Sequence, residues 1–272
     1  MSAILTIARR ELAEGIRNRW VVSMTVVMAA LASVIAALGS APTGSTATGA
    51  LDVVVVGLAS LTIFLVPLIA LLLSHDAITR EAERGTLLLL LSHPLSRPQV
   101  VAGKFLGQLA ILALATVIGF GFAAIFVIWR HGAEGWQAFA MMTAISVLLG
   151  AVFLALGTLA SAVVQESSTA AGIAIGLWLL FVALYDMALL AALVARGGHA
   201  VPGWIMDLAL LLNPTDAYRL LTLGEGASAM LSGMGGVYDN SQLTPGLLAA
   251  ALLLWCALPL TLAMTAFSRR NL

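Results

Sequence analysis

The sequence predicts an all-α integral membrane protein with six transmembrane helices, and three observations carry that prediction. Of its 272 residues, 61% are hydrophobic and only 10% charged, with a mean hydropathy of +1.05. A soluble domain would carry about 25% charged residues. The apolar residues also come in long unbroken runs, not in short periodic stripes. Finally, the runs have spanning length. Crossing ~30 Å of hydrocarbon takes ~20 residues of helix, and only helices or closed barrels satisfy their backbone in lipid. Barrel strands alternate over ~10 residues, and no such alternation occurs here.

The first apolar run covers 20–39 and ends in the small polar stretch 40–49. The others cover about 53–74, 105–129, 138–164, 170–195 and 247–267. The whole chain, 1–272, reads as one transmembrane domain. Ahead of the first span, Leu5, Ala8, Leu12, Ile16 and Trp20 recur every three or four positions. Arg9, Arg10, Glu11, Glu14, Arg17 and Arg19 fill the other faces, the pattern of a helix over 3–19 lying in the headgroup plane. A charged flank that only sets topology fits the same residues. The basic start also resembles a signal peptide, but the run is of spanning length and a multispan protein keeps its first helix. A shorter run, 204–212, is interrupted by Asp207 and closed by Asn213-Pro214. Too short to span, it predicts a re-entrant or interfacial helix within an outer segment, 200–245.

Charge sets the orientation. With the N-terminus cytoplasmic, Arg9, Arg10, Arg17, Arg19, Arg80, Arg84, Arg97, Lys104, Arg269 and Arg270 lie inside, and Arg130, Arg196 and Arg219 outside. Positive residues favour the cytoplasmic side, and an even number of spans keeps both Arg-bearing ends there. The single cysteine, Cys256, excludes an intrachain disulfide, and no Cys/His spacing fits a zinc site.

The loop between spans two and three, 76–97, is the most informative segment. Span two is expected to run on into the cytoplasm as a charged helix through Arg80, Glu81, Glu83 and Arg84, which Gly85 breaks. Thr86 can then N-cap a short helix on the five leucines 87–91, and Pro94 ends it. A short apolar helix flanked by charge suits docking into a partner's groove, or packing beneath the bundle.

These residues resemble a known family. Glu81-Ala82-Glu83-Arg84-Gly85-Thr86-Leu87, followed by Leu90-Leu91, Pro94, Arg97 and Gly103-Lys104-Phe105, is similar to the signature region of ABC-2 type permeases. The opening Ala8-Arg9-Arg10-Glu11-Leu12 with Arg17-Asn18-Arg19-Trp20 resembles that family's N-terminal elbow helix. Ala70–Thr79 and the segment Leu212-Asn213-Pro214-Thr215-Asp216-Ala217-Tyr218-Arg219 resemble its NosY branch, the permeases of nitrous oxide reductase maturation. The resemblance implies a homodimeric, type V exporter-like fold in the bacterial inner membrane. It also implies that Arg80, Glu81, Glu83, Arg84, Gly85, Thr86, Leu87, Leu88, Leu91, Pro94 and Arg97 form a coupling helix region against a NosF-like ATPase. Glu166, in the very short second cytoplasmic loop, would make a smaller contact, although its residues alone read better as a solvated turn. Implied partners are a second copy of the chain, the ATPase carrying ATP and Mg, a periplasmic NosD-like protein and membrane lipid; nothing points to nucleic acid.

No G-x-x-x-x-G-K-[ST] motif occurs, so the chain is expected to borrow its ATPase and to hold no cofactor itself. Within the spans the clear ionisable residue is Asp186, beside Tyr185, a candidate for the pathway or a moving interface. An intramembrane enzyme would need a catalytic set inside the spans. His75, His93, His131 and His199 fall in loops or at helix ends, and Asp186 is expected to have no second carboxylate nearby. An ion-coupled transporter using Asp186, with Pro67 and Pro259 kinking spans two and six, leaves the coupling loop without a purpose. Gly172-x-x-x-Gly176 fits a close helix approach but recurs by chance in a chain with 25 glycines. Thioethers suit Cu(I), and His199, Met206, Met230 and Met234 lie in the outer segment. Methionine is an ordinary packing residue, and no metal site is assigned.

Overall fold

A computed structural model describes residues 3–39, 47–85, 96–131, 136–195, 202–232 and 243–269. The expected short helix at 87–91, with Thr86 and Pro94, lies outside these residues, as do Met234 and the side chain of Met230. The elements are α1 (Ala3–Ile16), α2 (Arg19–Gly39), α3 (Ala47–Ser74), α4 (Thr79–Glu83), α5 (Arg97–His131) and α6 (Trp136–Val163). Then follow α7 (Ser167–Leu179), a π-helical turn (Leu180–Leu184), α8 (Tyr185–Ala195), α9 (Gly203–Leu212), α10 (Pro214–Ser232) and α11 (Pro245–Arg269). Among the described residues, six helices are long and apolar enough to cross a membrane: α2, α3, α5, α6, the continuous α7–π–α8 run, and α11. The short apolar helix α9 stands where the interrupted run predicts one.

Helix α6 is the axis of the bundle. Leu149, Val152, Phe153, Leu154 and Ala155 are fully buried, and the helix packs against α11, α3 and α5. Span five is peripheral by contrast. Only Ala170, Ala174, Phe181 and Val182 are buried along it, and no residue of α8 is. Gly172 and Gly176 face open space, so their pairing serves no packing within one chain.

Local chemistry explains where helices start and stop. The amphipathic helix ends at Ile16, short of the expected 19. Asn18 Oδ1 there accepts the Trp20 N–H at 3.0 Å and so caps α2. Helix α5 starts at Arg97, well ahead of the apolar run, because Ser96 N–H donates to Gln99 Oε1 at 3.0 Å and Pro98 sits in the first turn. Span two does not run on as one charged helix. It ends at Ser74, and the chain turns because Ser161 Oγ on α6 takes the backbone N–H groups of Ile78 and Thr79, at 2.9 and 3.2 Å.

Helix α1 lies along α5 because two glycines remove the side chains between them. A Cβ on Gly107 would come within 2.8 Å of the Ala8 carbonyl oxygen, and one on Gly103 within 2.7 Å of Ile7. Backbone cannot retreat as a flexible side chain can. Gly107→Ala is therefore expected to cost about 1–3 kcal/mol through overpacking, seen as a lowered apparent Tm in detergent. Gly121→Ala, which meets open space, should leave Tm unchanged or slightly raised.

Candidate functional site

Most of the described charged side chains gather at one end of the bundle, where α1, α4, the α6–α7 turn and the starts of α2 and α5 meet. At this basic end Lys104 is 5% exposed. A buried ammonium is costly unless paired, and Lys104 has two partners: Glu11 Oε1 at 2.6 Å and Glu81 Oε1 at 2.7 Å. Glu11 belongs to α1 and Glu81 to α4, so one cation on α5 joins three elements. Gln108, one turn further along α5, donates to the Leu73 carbonyl at 3.1 Å, in the last turn of α3.

Helix α4 is fixed from the opposite side as well. Thr79 lies 3.4 Å from Ser161 Oγ and accepts from Ser167 Oγ at 3.1 Å. Glu83 Oε1 accepts the Ser167 N–H at 2.6 Å, placing a carboxylate at the N-terminus of α7, where the helix dipole favours it. Arg80 pairs with Asp76 one turn back. Gly85 follows at φ +70°, its N–H bonded to the Ala82 carbonyl at 3.1 Å, and it ends the helix in the left-handed geometry that glycine tolerates. The chain therefore leaves α4 from a firmly held platform. Arg84 and Glu166 are exposed, and Arg9, Arg17 and Arg19 likewise point outward. Arg10 pairs with Glu14 at 2.8 Å on the surface. Arg97 turns to α11, donating to the carbonyls of Phe267 and Ser268 at 3.2 and 3.1 Å and lying over the Phe267 ring.

A second polar cluster occupies the far end, on the α9–α10 corner. Asn213 is the N-cap of α10, its Oδ1 accepting the Thr215 N–H at 3.1 Å, and Pro214 takes the first helical position, where a missing N–H costs nothing. Asp216 is fully buried and Arg219 is 6% exposed. Arg219 donates to Asp216 at 2.6 Å and to Asp186 at 3.0 Å. The expectation that Asp186 lacks a second carboxylate is thus overturned: Asp216, distant in sequence, shares its arginine. Burial, then the charge on Asp186, pushes the Asp216 carboxyl up to about 7 against the pull of Arg219. Tyr185 donates its hydroxyl to the Ala209 carbonyl at 2.6 Å, and Trp255 of α11 caps the Leu211 carbonyl at 3.0 Å. Both carbonyls belong to the last turn of α9, which has no helical donors for them.

Sequence reasoning singled out Glu11, Glu81, Asp186, Asp216 and Arg219, but not what joins them. Lys104 was legible as part of the signature-like Gly103-Lys104-Phe105 and as an inside positive charge, not as a buried joint. Thr79, Ser161 and Ser167 carried no signal. Met206 packs against the core.

The chain matches the model of the ABC-2 family transporter proteins over residues 5–272. It is 46% identical to the probable ABC transporter permease protein NosY of Pseudomonas aeruginosa, with 99% of each chain covered. It is 44% identical to the probable ABC transporter permease protein NosY of Stutzerimonas stutzeri, again with 99% of each covered.

Removing Lys104 leaves two partly buried carboxylates facing each other. Lys104→Met is expected to cost about 3–5 kcal/mol, read as a large drop in apparent Tm. Adding Glu11→Gln and Glu81→Gln should recover most of that loss. At the far end, Asp216→Asn should lower Tm more than Asp186→Asn, because Asp216 is the more deeply buried partner of Arg219.

Proposed function

This chain belongs to the ABC-2 transporter family and is an integral membrane permease similar to the NosY proteins, and from that premise we propose that it couples ATP hydrolysis on a separate ABC ATPase subunit to movement across the bacterial inner membrane, in the service of copper-site assembly of nitrous oxide reductase. The observation that carries this reading is the Lys104 joint. It makes α4, the last element before the coupling segment, one unit with α1 and the head of α5. A push on residues 86–95 then reaches three elements together. A loop that only packed beneath the bundle would need no such anchorage.

The basic end is cytoplasmic on this reading, in keeping with the positive-inside rule, and α1 is the elbow helix at the headgroup level. The ATPase brings ATP and Mg. Two copies of the chain form the working permease, and the segment after span five faces a periplasmic NosD-like partner. An exporter of another substrate, such as a lipid, drug or polysaccharide, would use the same coupling end. Only copper loading of the reductase separates the two.

Co-expression with its ATPase subunit is expected to yield a complex whose hydrolysis rises severalfold over that of the ATPase alone. Gly85→Val places a Cβ in left-handed backbone at a cost of about 1–2 kcal/mol, about a 5–30-fold shift away from the native platform geometry, and should reduce the stimulated rate accordingly while the complex still forms. Failure of the native chain to bind or stimulate the ATPase would overturn the coupling role. Normal copper loading of the reductase in a strain lacking the chain would overturn the assembly role.

A further inference from the structure

Span five departs from α geometry once, at Leu180–Leu184. The Tyr185 N–H bonds to the Leu180 carbonyl, five residues back, where an α-helix would use Phe181. The Phe181 carbonyl is left without that donor, and two side chains of the α9–α10 corner replace it: Asn213 Nδ2 at 3.1 Å and Thr215 Oγ1 at 3.0 Å. The next two residues, Tyr185 and Asp186, make the only polar ties from the head of α8 to that corner among the described contacts, to Ala209 and Arg219. A π turn is an α-helix with one extra residue, and such turns concentrate at functional positions.

The rest of the span is arranged so that this turn can change. No residue of α8 is fully buried, and only the partly buried Leu189 and Leu193 pack against the core, so its rotation is lightly held. Arg219 keeps Asp216 at 2.6 Å if Asp186 leaves, so release does not strand a buried cation. At the other end of the span, the N-terminus of α7 is bound to α4 through Ser167, by Glu83 and Thr79. Polar ties therefore hold span five at both ends, to the element beside the coupling segment and to the far-end corner.

We propose that span five transmits the motion of α4 across the membrane through a one-residue register change at the π turn, with Asn213 and Thr215 as positioning residues that hold the bulged register by occupying the Phe181 carbonyl. Relaxing the turn to α geometry advances α8 by ~1.5 Å and rotates it by about 100°. That withdraws Tyr185 from Ala209 and Asp186 from Arg219 in one step and frees the α9–α10 corner to move. The two registers supply the discrete two-state element that long-range coupling requires. The inference rests on the ATP-coupled reading above.

The test uses the full complex in lipid, with spin labels at Met141 on α6 and Val194 on α8, both exposed, in a background where Cys256 is replaced. Trapping the nucleotide-bound state should shift the native label distance by several ångströms. Thr215→Val, which removes one donor from Phe181, should populate the shifted distance without nucleotide. Deleting Ala183 removes the extra residue and leaves α7 and α8 in their resting phase. That variant should keep the resting distance, still bind the ATPase, and lose the nucleotide-dependent shift. A deletion variant that shifts like the native chain, or a Thr215→Val resting distance identical to native, would overturn the register switch. A native complex with intact ATPase stimulation and no shift would overturn the switch and leave the coupling reading standing. Loss of ATPase binding by the native chain would overturn both.

Discussion

An ammonium group inside an apolar bundle must find its counterions within the protein, and the two that Lys104 finds belong to different elements. Glu11 brings α1 and Glu81 brings α4 to the head of α5. Without the cation, α1 would keep only its close packing on α5, and α4, a five-residue helix too short to persist alone, would lose one of its two anchorages. The close approach of α1 to α5 through Gly103 and Gly107 serves the same end, because Glu11 reaches Lys104 only when the two backbones nearly touch. The geometry from which the chain leaves α4 therefore rests on this buried charge together with the Ser161 and Ser167 contacts.

The far end obeys the same constraint with different groups. Carbonyls left open by the end of α9 and by the π turn are taken by Tyr185, Trp255, Asn213 and Thr215, as open carbonyls at helix ends and breaks require. Tyr218, fully buried, is bonded to Ser146 of α6 at 3.0 Å and seats the corner against the axis of the bundle. Between the two ends lies span five, which is lightly packed over most of its length and tied by polar contacts at both ends.

Much of this was legible in the sequence, and the rest was hidden for physical reasons. Six spans followed from the length of the apolar runs, and α9 followed from a run too short to cross. The break at Gly85 and the start of α10 at Asn213-Pro214 follow from backbone and capping chemistry that acts over a few residues. What the sequence could not show is pairing over distance. Lys104 and Glu11 are 93 positions apart and Arg219 and Asp186 are 33. The isolation of Asp186 was therefore misjudged. Ser161 diverts the chain after span two from the neighbouring helix, so the expected continuous helix past Ser74 gave way to a turn. The π turn in Leu180–Leu184 has no local signature, because its stabilising donors come from another segment.

On the reading proposed above, the charge pair between Lys104 on α5 and Glu81 on α4 carries coupling, beyond holding the fold. A charge exchange tests it most directly, comparing ATPase stimulation in Lys104→Glu, Glu81→Lys and the double variant, with apparent Tm measured alongside. Each single variant is expected to lose stimulation, and the exchange to restore a large part of it. An exchange that recovers Tm but leaves hydrolysis as uncoupled as the single variants, or single variants that stimulate like the native chain, would contradict it.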